Sequence, residues 1–283
     1  MKYTVIADSC CNLLPKDFSN EKIDFHVVPI KLTVGNEEFI DDGKLDTAEF
    51  VAKMKACKTH AKSACPPPEA FAEIMRKSDN IFVMTISSKL SGTYASAMIA
   101  AESIKKEFPE KKLFVLDTLT ACAGQDHILF RLKELIDEGL SFDEITVEIA
   151  EIRTKTKTRF FLHDLTNLIK NGRLGKILGT LLNAARIKLI CGDNGAGEIK
   201  KHGMSLSTRK GLQSMAEMPG KELKATGEEN QSPITIAHVH NEPDASFIRR
   251  ILESKFGFKN IKTLLIRAST ALYASDKGIV IAY

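Results

Sequence analysis

The chain has 283 residues, 43% of them hydrophobic, and a formal charge of +4 from 40 Lys and Arg against 36 Asp and Glu. That length holds one large domain or two modest ones, and two is the better expectation. The near balance of charge is too small a basic bias to argue for nucleic acid, and 17 Gly and 9 Pro exclude disorder and collagen-like repeats. No run approaches the ~18–20 apolar residues that span a bilayer. The start, MKYTVIADSC, lacks the apolar stretch and cleavage site of a signal peptide, so a bacterial-type cytoplasmic location is expected. The cysteines, Cys10, Cys11, Cys57, Cys65, Cys122 and Cys191, follow no regular spacing and read as reduced, mostly structural thiols.

Tyr3–Ala7 is a β-rich run that stops at Asp8-Ser9. Phe25–Ile30 is another, with Pro29 placing it at an edge or a bend. Asp46 with Glu49 fits the N-terminus of a helix through Met54, and Pro66-Pro67-Pro68 opens a helix to Met75. Ile81–Ile86 is a continuous apolar run of the buried parallel type. It leads through Ser87–Thr93 into a helix from Tyr94 to Phe108. Leu113–Leu116 is the next strand, ending at Asp117, and helices follow at Gly124–Glu138 and Phe142–Ile152. This alternation predicts right-handed crossovers and a parallel sheet covered on both faces. Sites in such sheets lie beyond the carboxyl ends of the strands, where Asp8-Ser9, Ser87–Thr93 and Asp117-Thr118 gather.

The second half mixes hairpin and crossover connections. Arg159–Leu162 is a strand, Asp164–Lys170 a helix ended by Asn171-Gly172, Leu178–Asn183 a helix and Ile187–Cys191 a strand. Gly192–Gly197 turns into Glu198–Lys201. Ser207 or Thr208 caps a helix to Glu217, and Lys221–Ser232 reads as a polar surface segment. Strand Ile234–Val239, helix Ala245–Phe256, strand Ile261–Ile266 and strand Ile279–Tyr283 complete the chain. The expected architecture is an α/β domain over 1–157 and an α+β domain over 158–283.

The sharpest chemical signal is Ser87–Thr93. A buried strand runs into a Gly-containing polar turn that opens a helix, whose first N–H groups lack partners and whose dipole favours negative charge. Ser88, Ser91 and Thr93 add hydroxyls, and Gly92 admits a ligand to the backbone. The turn suits a carboxylate or phosphate, or it is a plain helix cap. Arg173 after Gly172 can receive an oxyanion or serve the helix end. Cys57, His60 and Cys65 lack the further ligands of a zinc site, and a metal or substrate could use His238 with His240 on one strand face, a hydrogen-bonded strand-end histidine being the commoner explanation. Cys10-Cys11 would be reactive only if a helix N-terminus lowered a thiol pKa. No serine pairs by spacing with a His and an acid, and neither a Walker loop nor a dinucleotide fingerprint occurs.

In order, Ala7-Asp8-Ser9, Val27–Ile30, Ser63-Ala64-Cys65-Pro66, Ile86-Ser87-Ser88-Lys89-Leu90-Ser91-Gly92-Thr93-Tyr94 and Lys170-Asn171-Gly172-Arg173 make the chain resemble the DegV family of bacterial fatty-acid-binding proteins. The resemblance implies two α/β-type domains with a long-chain fatty acid in a buried tunnel at their junction. It also implies a carrier with no chemistry of its own, no metal and no cofactor. In some members the carrier presents the acyl group to a separate ATP-binding kinase subunit for acyl phosphate formation. The family's Thr-Ser-Gln-Pro loop corresponds to Ser63-Ala64-Cys65-Pro66, with Ser63 keeping the hydroxyl and Cys65 replacing an amide. Ser91 and Arg173 are retained. The family's His-Thr-Gly-Pro-Gly corresponds to Tyr273-Ala274-Ser275-Asp276-Lys277, so Tyr273 stands where the histidine is usual; a phenol can donate to a carboxylate but is no base near neutral pH. The expected ligand residues are thus Ser63, Ser88, Ser91, Gly92, Thr93, Arg173 and Tyr273. The tunnel walls are expected from Ile81–Ile86, the Tyr94–Phe108 helix and the second domain. The alternatives are an acyl- or phosphoryl-transfer enzyme with Ser91 as nucleophile and a binder of a non-lipid anionic metabolite.

Overall fold

The computed structural model describes residues 2–57, 59, 61–174, 188–226 and 232–283. Its first sheet takes β1 (Tyr3–Asp8), β2 (Ile23–Val28), β6 (Asn80–Thr85) and β7 (Lys112–Asp117) in the order β2-β1-β6-β7, all parallel. Every residue of β1 is buried, as a parallel strand covered on both faces requires. Alternate side chains leave opposite faces. Ile6, Val28, Ile81 and Val83 pack on α3 (Pro68–Met75) and α4 (Thr93–Glu107). Val5, Ala7, Phe82 and Met84 pack on α5 (Ala123–Glu138) and α6 (Phe142–Lys155). A capping box at Ser141 and Glu144 starts α6, and Asp46 accepts from Ala48 N and Glu49 N to start α2 (Thr47–Ala56).

The second sheet has six strands: β8 (Thr158–Phe161), β9 (Lys188–Asp193), β10 (Ile199–Ser205), β11 (Ile234–His238), β12 (Ile261–Leu265) and β13 (Ile279–Ala282). Their order is β10-β9-β8-β13-β11-β12, antiparallel except for β11 with β12. Its outer face is covered by α8 (Thr208–Thr226) and α9 (Glu242–Phe256). Between the two sheets lies α5, which touches β6 on one side and β11 and β13 on the other. A small antiparallel sheet, β4 (Glu37–Ile40), β3 (Lys31–Val34) and β5 (Lys62–Ala64), packs its Leu32 and Val34 into the core shared with the second half.

Several sequence expectations shift. The strand expected at Phe25–Ile30 begins at Ile23 and ends before Pro29, and it is an edge strand. The three strands of the small sheet carry no sustained apolar alternation and are held by pairing and by the turn at Gly35. The segment from Lys221, expected as irregular surface, continues α8 to Thr226 despite Pro219, because Leu223 is buried with Leu212, Met215 and Ala216. His238 ends β11, whereas His240 lies beyond the strand with φ 44°, so the two do not share a strand face. His238 Nδ1 accepts from Asn241 N at 3.1 Å instead. The helix expected over Leu178–Asn183 lies outside the described residues.

A buried polar knot ties the halves together. Arg267, just before α10 (Ala268–Ala274), donates through Nε and Nη2 to Asp41 Oδ1 at 3.2 and 3.0 Å. Asp41 Oδ2 accepts from Ser269 N at 2.8 Å. Arg267 N donates to Asn12 Oδ1, and Asn12 donates through N and Nδ2 to Asp126 on α5. Arg267 and Asp41 pair with each other, the condition under which buried charge is tolerated, and Asp126 is met by the Asn12 hydrogen bonds.

Candidate functional site

The carboxyl ends of the first sheet meet the second half around an apolar cavity of about 120 Å³. The strand-end carboxylates build the rim from inside. Asp8 Oδ2 accepts from Ile86 N at 2.7 Å, and Asp117 Oδ1 accepts from Ser88 N and Leu119 N at 3.1 Å each. Burial pushes the Asp8 carboxyl up to about 6. These acids fold the loops rather than face the cavity.

One end of the cavity is hydroxylic. Pairing of Leu32 with Ser63 in the small sheet brings Ser63 Oγ to 2.7 Å from Tyr273 Oη, at the end of α10. Burial raises the Tyr273 phenol further above its ordinary range, so it serves as a neutral hydroxyl. Arg173 is delivered by the end of α7 (Thr166–Lys170), where Gly172 takes φ 73° and Arg173 N reaches back to Leu168 O at 2.9 Å. The cap reading of Gly172-Arg173 is what this geometry shows, with the Arg173 side chain in the lining of the cavity. The guanidinium lies 6.0 Å from the Tyr273 ring centre and donates to the carbonyls of Leu90, at 3.1 Å, and Asn171. Ser91 closes this end; its Oγ is 2.9 Å from Thr93 Oγ1 and accepts from Thr93 N at 3.3 Å.

Ser63, Ser91, Arg173 and Tyr273 thus line one cavity. Ser88, Gly92 and Thr93 lie outside its lining. Ser88 is exposed, Thr93 is fully buried with its hydroxyl turned to Ser91, and Gly92 sits beneath the exposed Cys65, whose Sγ would lie 3.2 Å from a Cβ added there. The apolar walls come from Ile30, Ile86, Phe160, Leu162, Leu168 and Val280. The helix expected to supply a wall, α4, does not: its buried face, Ala97, Ala100, Ala101 and Ile104, covers the opposite side of the sheet.

Sequence reasoning missed the turn Leu119–Cys122, all four residues of which line the cavity. Leu119 and Cys122 hold φ of 54° and 56°, a conformation uncommon for side-chain-bearing residues and frequent at binding sites. A strand end rich in small residues was its only advance signal. Behind the turn, Thr120 Oγ1 meets Thr158 Oγ1 at 2.7 Å, and a Cβ on Gly124 would strike both hydroxyls, at 2.0 and 2.3 Å. Glycine lets α5 approach β8 there.

Burial opposes the reactive-thiol reading, and His238 and His240 do not form the expected strand-face pair. Cys10 and Cys122 line the cavity, but burial raises both thiols far above neutrality, and Cys11 likewise. Cys57 bonds Thr59, and His60 lies outside the described residues. Among the described residues no group of three or more His, Cys, Asp or Glu could hold a metal ion, and no helix is long and apolar enough to cross a membrane.

Residues 2–283 match the family model described as "Uncharacterised protein, DegV family". A DegV domain-containing protein of Streptococcus gordonii is 32% identical over 284 residues, covering 100% of this chain and 99% of that protein. The fatty acid kinase (Fak) B3 protein of Streptococcus pneumoniae, solved loaded with linoleic acid, superposes with a TM-score of 0.91 at 30% identity, covering 100% of this chain and 99% of that one. A DegV family protein of Ruminococcus gnavus, refined with vaccenic acid, gives 0.92 at 27% identity, with 99% of each chain covered. The two-domain α/β architecture is shared throughout, and the chain belongs to the DegV family.

Proposed function

We propose that the protein binds a long-chain fatty acid in the cavity between its two sheets. The carboxylate lies at the Ser63–Tyr273–Ser91–Arg173 end, and the protein presents it to a separate kinase subunit for acyl phosphate formation. The observation that carries this reading is the joining of apolar walls to one hydroxyl- and guanidinium-bearing end in a single cavity. Burial yields roughly 0.8 kcal/mol per methylene, so a long chain gains on the order of 10 kcal/mol gross and the polar end need only orient the acid. It must also compensate the headgroup's desolvation, which the hydroxyls of Ser63, Ser91 and Tyr273 and the Arg173 guanidinium can do. A void of about 120 Å³ compares with the engineered one of about 150 Å³ that holds benzene. A long acyl chain therefore enters by parting the walls. Solved relatives that hold linoleic and vaccenic acids support the class of ligand. The membership of β8–β13 in the second sheet supports domains 1–157 and 158–283.

A carrier without catalysis fits Ser91 best. Its hydroxyl is engaged with Thr93, and no imidazole or carboxylate bonds it among the described residues. Mass spectrometry of an organic extract of the denatured protein, never delipidated, tests the reading. A stoichiometric long-chain acid is expected; a clean extract overturns it.

A further inference from the structure

A second pocket, of about 490 Å³, adjoins the hydroxyl end of the cavity. The two share their walls: Ala61 faces one and Ser63 the other, Asn167 one and Leu168 the other, Ser275 one and Tyr273 the other. Its charged lining comprises Lys55, Lys170, Lys277, Asp164 and Asp276. Both acids are already engaged. Asp164 Oδ1 accepts from Thr166 N at 2.8 Å, and Asp276 pairs with Lys55 at 2.7 Å. Among the described residues Lys170 and Lys277 form no ion pair, although Lys277 and Asp276 attract each other electrostatically, and both lysines are exposed. His163 adds a buried ring Nε2 with no hydrogen-bond partner among the described residues. Lys277 is held at φ 60° and Ser275 at φ 56°, which turns the loop after α10 along the pocket wall.

We propose that this pocket binds a phosphate-class oxyanion, with Lys170 and Lys277 as the charged contacts. Three lysines against two aspartates leave the lining positive by one charge, Asp276 being paired with Lys55, and ammonium groups bind phosphate as point charges. Its place beside Tyr273 and Ser63 sets such a group next to the carboxylate end of the cavity. In that respect the inference deepens the proposed function and rests on it for the identity of the neighbouring ligand. The phosphate group arrives on a soluble compound or on the polar end of an alkyl chain lodged in the cavity.

Titration of the full chain, as purified, with inorganic phosphate tests the site by 31P linewidth and thermal unfolding. Saturable broadening and a rise in Tm are expected, with the Lys170→Gln, Lys277→Asn double variant binding about tenfold more weakly. Asn is chosen at 277 because it tolerates positive φ. Lys105→Gln with Lys106→Gln, on the far side of the first sheet, should bind phosphate unchanged. A second titration with hexadecyl phosphate separates the sources: a loss in the double variant supports a phosphate borne on the cavity's ligand, and a loss for inorganic phosphate alone supports a soluble one. No saturable effect of either probe in the unmodified protein, equal binding by the double variant, or equal binding of succinate overturns the proposal. The lipid content of the same samples is read separately by extraction. A clean extract with phosphate binding intact would sink the fatty-acid reading and spare this one.

Discussion

The α5–α6 face of the first sheet and the surroundings of the cavity are both apolar, yet they are built differently. On the α5–α6 face, phenyl rings fill the volume. Phe82 stacks on Phe142 at 4.5 Å, Phe18 meets Phe25 at 4.6 Å, and Phe18, Phe25 and Phe82 are almost wholly buried. Around the cavity, small residues interleave with the aliphatic walls: Cys10, Ala121, Cys122, Gly192, Ser269 and Ala274. That region is fastened by the Arg267–Asp41 and Asn12–Asp126 polar ties instead of by bulk. Close packing stabilises and leaves no room; small side chains with polar fasteners keep two sheets in register while leaving space for a ligand.

The largest expected effect comes from cutting a fastener. Arg267→Ala leaves Asp41 buried without its partner and should cost about 3–5 kcal/mol in denaturant unfolding. A cost below about 1 kcal/mol would show that the halves are held by apolar contact alone. Next, truncation should discriminate the two regions. Phe82→Ala, in the solid core, should cost about 3–5 kcal/mol, and Leu162→Ala, which borders the cavity, only about 2 kcal/mol, because one side of Leu162 already lacks neighbours. Equal losses would erase the distinction. Filling the void should do the reverse. Val280→Phe should lower fatty-acid affinity at least about tenfold while changing stability by under about 1.5 kcal/mol, read by lipid titration and melting. The headgroup contacts are smaller: Ser63→Ala or Tyr273→Phe should weaken fatty-acid binding by about three- to tenfold, one hydrogen bond each.

The fasteners also titrate. Burial raises the Asp126 carboxyl to about 7 and Asp8 to about 6, above the unfolded value near 4. The folded state then holds more protons than the unfolded chain between those limits. The stability these groups contribute is full below about pH 4 and is lost as pH rises through about 6 to 7. Asp126→Asn should flatten that decline in pH-dependent unfolding, and an unchanged slope would remove Asp126 from the account.

The parallel sheet was readable because its signal is local: Ile81–Ile86 and Leu113–Leu116 are apolar runs separated by helices of ordinary length, and the sheet appears where they predict it. Ser91 was readable for the same reason, since strand, polar turn and helix are contiguous in the chain. The small sheet was not, because β3, β4 and β5 are short and take their stability from pairing across the hairpin and with a strand some thirty residues on. The wall assignment to α4 failed because periodicity shows that a helix has a buried face and not which side of a sheet receives it.

By itself, the sequence determined the alternation of buried strands and helices, the hydroxyl-rich turn at the end of β6, and the residue types able to meet an acid. Those follow from local spacing and chemistry. Only the tertiary structure decided that Ser63, Ser91, Arg173 and Tyr273, spread over 210 positions of the chain, open on one cavity. Only it showed that Leu119–Cys122 forms part of the wall and that Lys170 and Lys277 face a common pocket. Convergence of distant side chains depends on how two sheets stack across α5, and that stacking is set by the summed packing and polar ties of both halves, which no short window of sequence contains.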